Sequence, residues 1–117
     1  MKRRNTLQVV IDELTEFVGE IEPSDPEWTQ ILFNQRISSM LRKGALKSSK
    51  LPRKIRLNEV LDLLDLDVQY DEVANSVEQF DDVIRSYGEE PDRASMEKAR
   101  NSLENVLEFL AKVAAAP

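Results

Sequence analysis

Eight cationic side chains, Arg36, Arg42, Lys43, Lys47, Lys50, Arg53, Lys54 and Arg56, fall between Trp28 and Asn58, a stretch with no Asp or Glu. Fixed positive charge at this density attracts anions, either phosphates or carboxylates. Its surroundings are acidic. Residues 1–27 carry three basic and seven acidic side chains, and residues 59–117 carry five and fifteen. The three segments thus bear −4, +8 and −10, which sum to the overall −6. Three counter-charges suit the cationic stretch: the phosphates of DNA or RNA, an acidic protein surface, or the chain's own acidic helices. Ser48 and Ser49 add neutral donors. Residues 34–58 contain no aromatic side chain on which a base would stack, which weighs against base reading.

Groups that perform covalent or metal chemistry are scarce. The chain has no His and no Cys. It therefore lacks the commonest general base, the commonest metal ligand and any thiolate. Ser95 and Lys98 share S-x-x-K spacing but fall in the first turn of an expected helix, where they read as a surface pair. Three isolated Gly cannot build a phosphate-binding loop. Asp65 and Asp67 open like a calcium loop, but that loop then needs Gly at position six and Glu at position twelve, and Tyr70 and Ser76 stand there. No catalytic residue, cofactor or metal is expected, and the chain does not read as an enzyme.

Two carboxylate pairs also have helical spacing, Glu13 with Glu16 and Glu78 with Asp81. E-x-x-E followed by E-x-x-D resembles the magnesium-binding pattern of the all-α nucleotide pyrophosphohydrolases. That resemblance implies a metal-dependent phosphohydrolase. It covers two short matches with 61 residues between Glu16 and Glu78. Glu13 and Glu16 are expected on the watery side of their helix, so both pairs are read as solvated faces.

The elements that must position the basic stretch follow from periodicity. Leu7, Val10, Ile11, Leu14, Phe17, Val18 and Ile21 recur every three or four residues and predict a helix over 5–21, with Asn5 and Gln8 as a capping pair. Asp12, Glu13, Glu16 and Glu20 are expected to face water. Ser24 or Asp25 caps a second helix over 26–43 that begins at Pro26 and stops at Gly44. Its apolar face is wide: Trp28, Ile31, Leu32, Phe33, Ile37, Met40 and Leu41. Residues 45–56 are expected as an exposed basic loop, mobile in the free protein. A short third helix over 58–66 starts at Asn58, which is expected to cap it. Asp67 then caps a fourth over 68–87, with the seam Tyr70, Val73, Val77, Phe80, Ile84 and Tyr87. After Gly88 to Asp92, a fifth helix over 93–114 carries a matching seam of Met96, Ala99, Leu103, Val106, Leu110 and Val113. Matched seams across a short turn predict an antiparallel hairpin.

The expectation is one all-α domain over residues 1–117, a five-helix, bundle-like fold with a C-terminal antiparallel hairpin. Met1 to Arg4 imitate the charged start of a secretion signal, but acidic residues arrive at once, so a cytoplasmic protein without membrane spans is expected. The functional expectation is a non-enzymatic interaction module, a small regulatory, adaptor or inhibitor-type protein. It would bind a protein partner through the basic loop and apolar helix faces, with Trp28, Phe33 and Ile37 as interface candidates, and form a homodimer. The alternative is a nucleic-acid-binding protein that uses the segment from Arg36 to Arg56.

Overall fold

Apolar residues at three- and four-residue spacing build five α-helices in the computed structural model, which describes residues 2–66, 69–86 and 88–116. They are α1 (Lys2–Glu20), α2 (Pro26–Lys43), α3 (Leu57–Leu64), α4 (Ala74–Ile84) and α5 (Arg93–Ala115), and the described residues contain no strand. Single 3-10 turns at Pro52–Lys54 and Asp71–Val73 precede α3 and α4.

The hairpin of α4 and α5 is antiparallel. Ser102 donates to Gln79 at 2.9 Å, and Asn105 donates to Ser76 at 3.5 Å, so positions rise on one helix as they fall on the other. The middles of both seams are buried, with Val77, Phe80 and Ile84 facing Met96, Ala99, Leu103, Val106 and Leu110 across the core. Helix α1 packs on α5 and on α2. It runs antiparallel to α2: Thr6 Oγ1 donates to the Gly44 carbonyl at 3.1 Å, and Arg36 reaches Glu20 at the other end. Phe17, Phe33 and Phe80, one each from α1, α2 and α4, meet with ring centroids 5.0 to 6.2 Å apart. All three are fully buried, and such mutual contacts add to their area burial.

Several boundaries differ from expectation. α1 reaches back to Lys2, so Asn5 lies within it, and Gln8 bonds Asp12 instead of completing a cap. α2 matches its expected span, with Asp25 accepting from the Trp28 amide at 3.1 Å. α3 starts one residue earlier than expected, so Asn58 sits in its first turn and is not its cap. α4 is shorter than its seam. Tyr70 turns away to donate its hydroxyl to Asp62 at 2.8 Å, and the chain makes a 3-10 turn before α4 begins. The expected roles of Asp67, Val68 and Tyr87 lie outside the described residues.

The end of α2 explains its glycine. A Cβ on Gly44 would stand 2.7 Å from the Met40 carbonyl oxygen, so the side chain is excluded by space. The left-handed position falls on the next residue, Ala45, at φ 54°. Leu46 N–H bonds the Leu41 carbonyl and Ala45 N–H that of Arg42, the two bonds of a Schellman motif. An alanine there carries a steric penalty that glycine avoids. The Ala45→Gly variant is expected to gain about 0.5–1 kcal/mol in urea unfolding, against the usual loss when glycine replaces alanine.

Candidate interaction surface

The eight cations have different fates. Arg36 turns back onto α1, where its guanidinium donates to Glu20 at 2.8 Å, Glu13 at 3.0 Å and Glu16 at 2.6 Å. Lys43 bonds Glu13 at 3.0 Å. Lys50 pairs with Glu59 at 2.9 Å, and Arg56 with Asp82 at 3.3 Å. These four charges are spent largely inside the molecule. Arg42 and Lys47 are exposed and make no ion pair among the described residues, and Arg53 and Lys54 are exposed on the turn before α3.

Glu13 does not face water as expected. It is buried between α1 and α2, accepting from Arg36, Lys43 and, at 2.8 Å, Ser39. Burial raises its pKa, but the donors from Lys43, Arg36 and Ser39 outweigh that and hold it below the ordinary carboxylate value. Glu20 first, then Glu13, push the Arg36 guanidinium further into its charged form.

The second half of the segment expected as a mobile loop, from Pro52 on, is bolted to α4 by two buried charges one turn apart. Asp81 and Arg85 are 1% and 4% exposed. The Asp81 carboxylate accepts from the backbone N–H of Leu57 at 2.6 Å and of Asn58 at 3.1 Å. It is the N-cap of α3, supplied from another helix. Arg85 donates to the carbonyls of Ile55 at 3.0 Å and Pro52 at 2.9 Å and to the side chain of Asn34, and its guanidinium lies 4.6 Å from the Phe33 ring centroid. Ile55 itself is fully buried beneath the turn. Burial pushes the Asp81 pKa up, against the pull of the two amides and of Arg56. Burial and then the Asp62 hydrogen bond push Tyr70, which lies alongside, up to about 12.

Sequence reasoning missed this latch. The available signal was spacing: Asp81 stands four residues after Val77 and three before Ile84, inside the apolar stripe. Three of the four paired carboxylates, Glu13, Glu16 and Asp81, have protein partners, and among the described residues no group of three or more acidic side chains is placed to hold a metal ion.

The apolar interface candidates divide. Phe33 and Ile37 are fully buried and belong to the core, which corrects their assignment to a surface. Trp28 is 50% exposed, and Ile31 beside it on α2 is 42% exposed. Leu51, at the head of the basic turn, is 58% exposed. Arg85 spans Asn34 of α2 and Pro52, so Leu51 lies on the α2 side of the molecule. No described helix is long and apolar enough to cross a membrane. Comparison with protein-family models, curated proteins and solved structures finds no match for this chain.

Removing either half of the latch strands buried groups. Asp81→Ala and Arg85→Met are each expected to cost about 2–4 kcal/mol in urea unfolding. Amide exchange at Leu57 and Asn58 should accelerate most in Asp81→Ala. The acid response of Glu13 has a definite sign. Its folded pKa lies below 4.5, so its stabilisation is present above that pH and is lost as pH falls through the folded value. The Glu13→Gln variant is expected to be about 1–3 kcal/mol less stable than wild type at neutral pH, and the gap should close as pH falls below the ordinary carboxylate range.

Proposed function

We propose that the protein is a non-enzymatic interaction module of regulatory, adaptor or inhibitor type, acting in the cytoplasm. Its basic corner, Lys47, Arg53 and Lys54 around Leu51, meets an acidic surface on a protein partner. The observation that supports this reading is the exposed Leu51 among exposed cations on a segment that Arg85 and Asp81 hold still. Preorganised segments lose little entropy on docking. An apolar side chain among cations suits a partner that offers both carboxylates and apolar contact. A phosphate backbone makes no use of it.

Nucleic-acid binding is the second reading, favoured by exposure of the same cations. At least four of the eight, Arg36, Lys43, Lys50 and Arg56, are engaged with the chain's own carboxylates, which leaves fewer for phosphate. The two readings separate on the Leu51→Asp variant and the triple Lys47→Ala, Arg53→Ala, Lys54→Ala variant. With tagged protein in native-host extract, both variants are expected to lose a partner that wild type retains and mass spectrometry identifies as an acidic protein. Labelled single- and double-stranded probes at low salt are expected to show no shift. A shift that falls steeply with salt, weakened by the triple variant and not by loss of Leu51, would replace the protein reading with the nucleic-acid one.

A further inference from the structure

Helix α2 presents one continuous exposed stripe. Trp28, Ile31, Gln35, Ser38 and Arg42 are all exposed, and Glu27 lies at its edge. Their three- and four-residue spacing confines them to a band about 100° wide, at about 100° per residue, on the side opposite Phe33, Ile37 and Met40. Nothing else in the described chain covers it. The stripe is polarised. Its start is apolar and acidic, with Trp28 and Ile31 next to Glu27, and its end is cationic, with Arg42. Its middle, Gln35 and Ser38, is neutral.

A surface with acid at one end, base at the other and a neutral centre is complementary to itself turned end for end. We infer that α2 pairs with α2 of a second copy, antiparallel, about a two-fold axis at Gln35. With that axis, each residue faces the one equally far on the other side of position 35. Trp28 meets Arg42 of the other copy, ring against guanidinium, and Glu27, one residue before Trp28 and on the flank that Arg42 occupies, comes within reach of the same guanidinium. Ile31, four residues before the axis, comes within one residue's rise, about 1.5 Å, of the small Ser38, three residues after it. Every contact occurs twice, as an isologous interface requires, and the two helix dipoles oppose. The basic corner around Leu51 is not part of the seam, so a dimer would present it twice, and the inference stands or falls separately from the proposed partner.

A single helix pair buries less than the roughly 800 Å² per partner of a standard interface, so association is weak, with dissociation in the micromolar range or above. Its charge pairs lie at the rim, and screening weakens them as salt rises.

The chain has no Cys, which makes cross-linking decisive. Packed helix axes lie about 8–10 Å apart and Cα atoms about 2.3 Å from each axis, so facing Cα atoms at the two-fold come within about 4–5 Å. A disulfide bridges about 4.4–6.8 Å. Two copies of position 38 would be offset by about 9 Å along the axes, beyond its reach. In the full chain, the Gln35→Cys variant is expected to form a disulfide dimer on mild oxidation, and the Ser38→Cys variant is not. Wild-type protein in sedimentation at low salt should pass from one 13.4 kDa chain toward two as concentration rises, and Ile31→Asp, at an exposed position, should prevent this without altering the circular dichroism spectrum. Cross-linking of both cysteine variants would mean a parallel seam and overturn the proposal. So would a dimer indifferent to Ile31→Asp, or a single-chain mass at every concentration.

Discussion

The architecture depends on a charge that α4 cannot expose. Asp81 and Arg85 occupy buried positions on a helix whose neighbours, Val77, Phe80 and Ile84, are core residues. Two ions removed from water cost more than their mutual attraction returns unless further hydrogen bonds satisfy them. Here those bonds come from the backbone of residues 52–58. The carbonyls and amides of an irregular segment meet their obligation to be paired, and the ions are satisfied in the same act. The segment is therefore as fixed as the helix it touches. Its cations are held at set positions on a rigid frame, so charge on this chain has an address as well as a sign.

A second constraint acts through α1 and α2. Arg36 gathers three glutamates from successive turns of α1, and Glu13 gathers three donors from α2. The interface is apolar on one flank, where Phe17 meets Phe33, and ionic on the other. The apolar flank supplies affinity between the helices. The ionic flank fixes their register, because Glu13 is buried and a slip of one turn would leave it without donors.

Much of this fold was legible in residue order. The α4 and α5 seams are regular because their burial is one-sided, and periodicity reports that directly. Pro26 and Gly44 bracket α2 because both act on local backbone. Misreadings arose where a distant residue decided the outcome. Asn58 looked like a cap, but the cap comes from Asp81, 23 positions away. Glu13 looked solvated because its own helix offers it nothing, and its donors lie on α2. Phe33 and Ile37 widened the apparent face of α2, but they point into the core while Trp28 and Ile31 point out, and composition alone does not separate the two sides. The basic stretch was evident as a pattern. Its division into spent and displayed charge rested on pairing across helices, which no local rule contains.

The cap on α3 also bears on the order in which the chain comes together. Eight residues are too few to hold a helix in water by themselves. α3 draws its N-terminal partner from α4, and α4 is half of a hairpin that brings residues close in sequence together. The hairpin is built from contacts close in sequence, whereas the turn and α3 exchange water for partners that only the hairpin offers. The middle of this chain thus depends on residues that follow it: the polar backbone of the turn and of α3 finds its partners on the C-terminal hairpin.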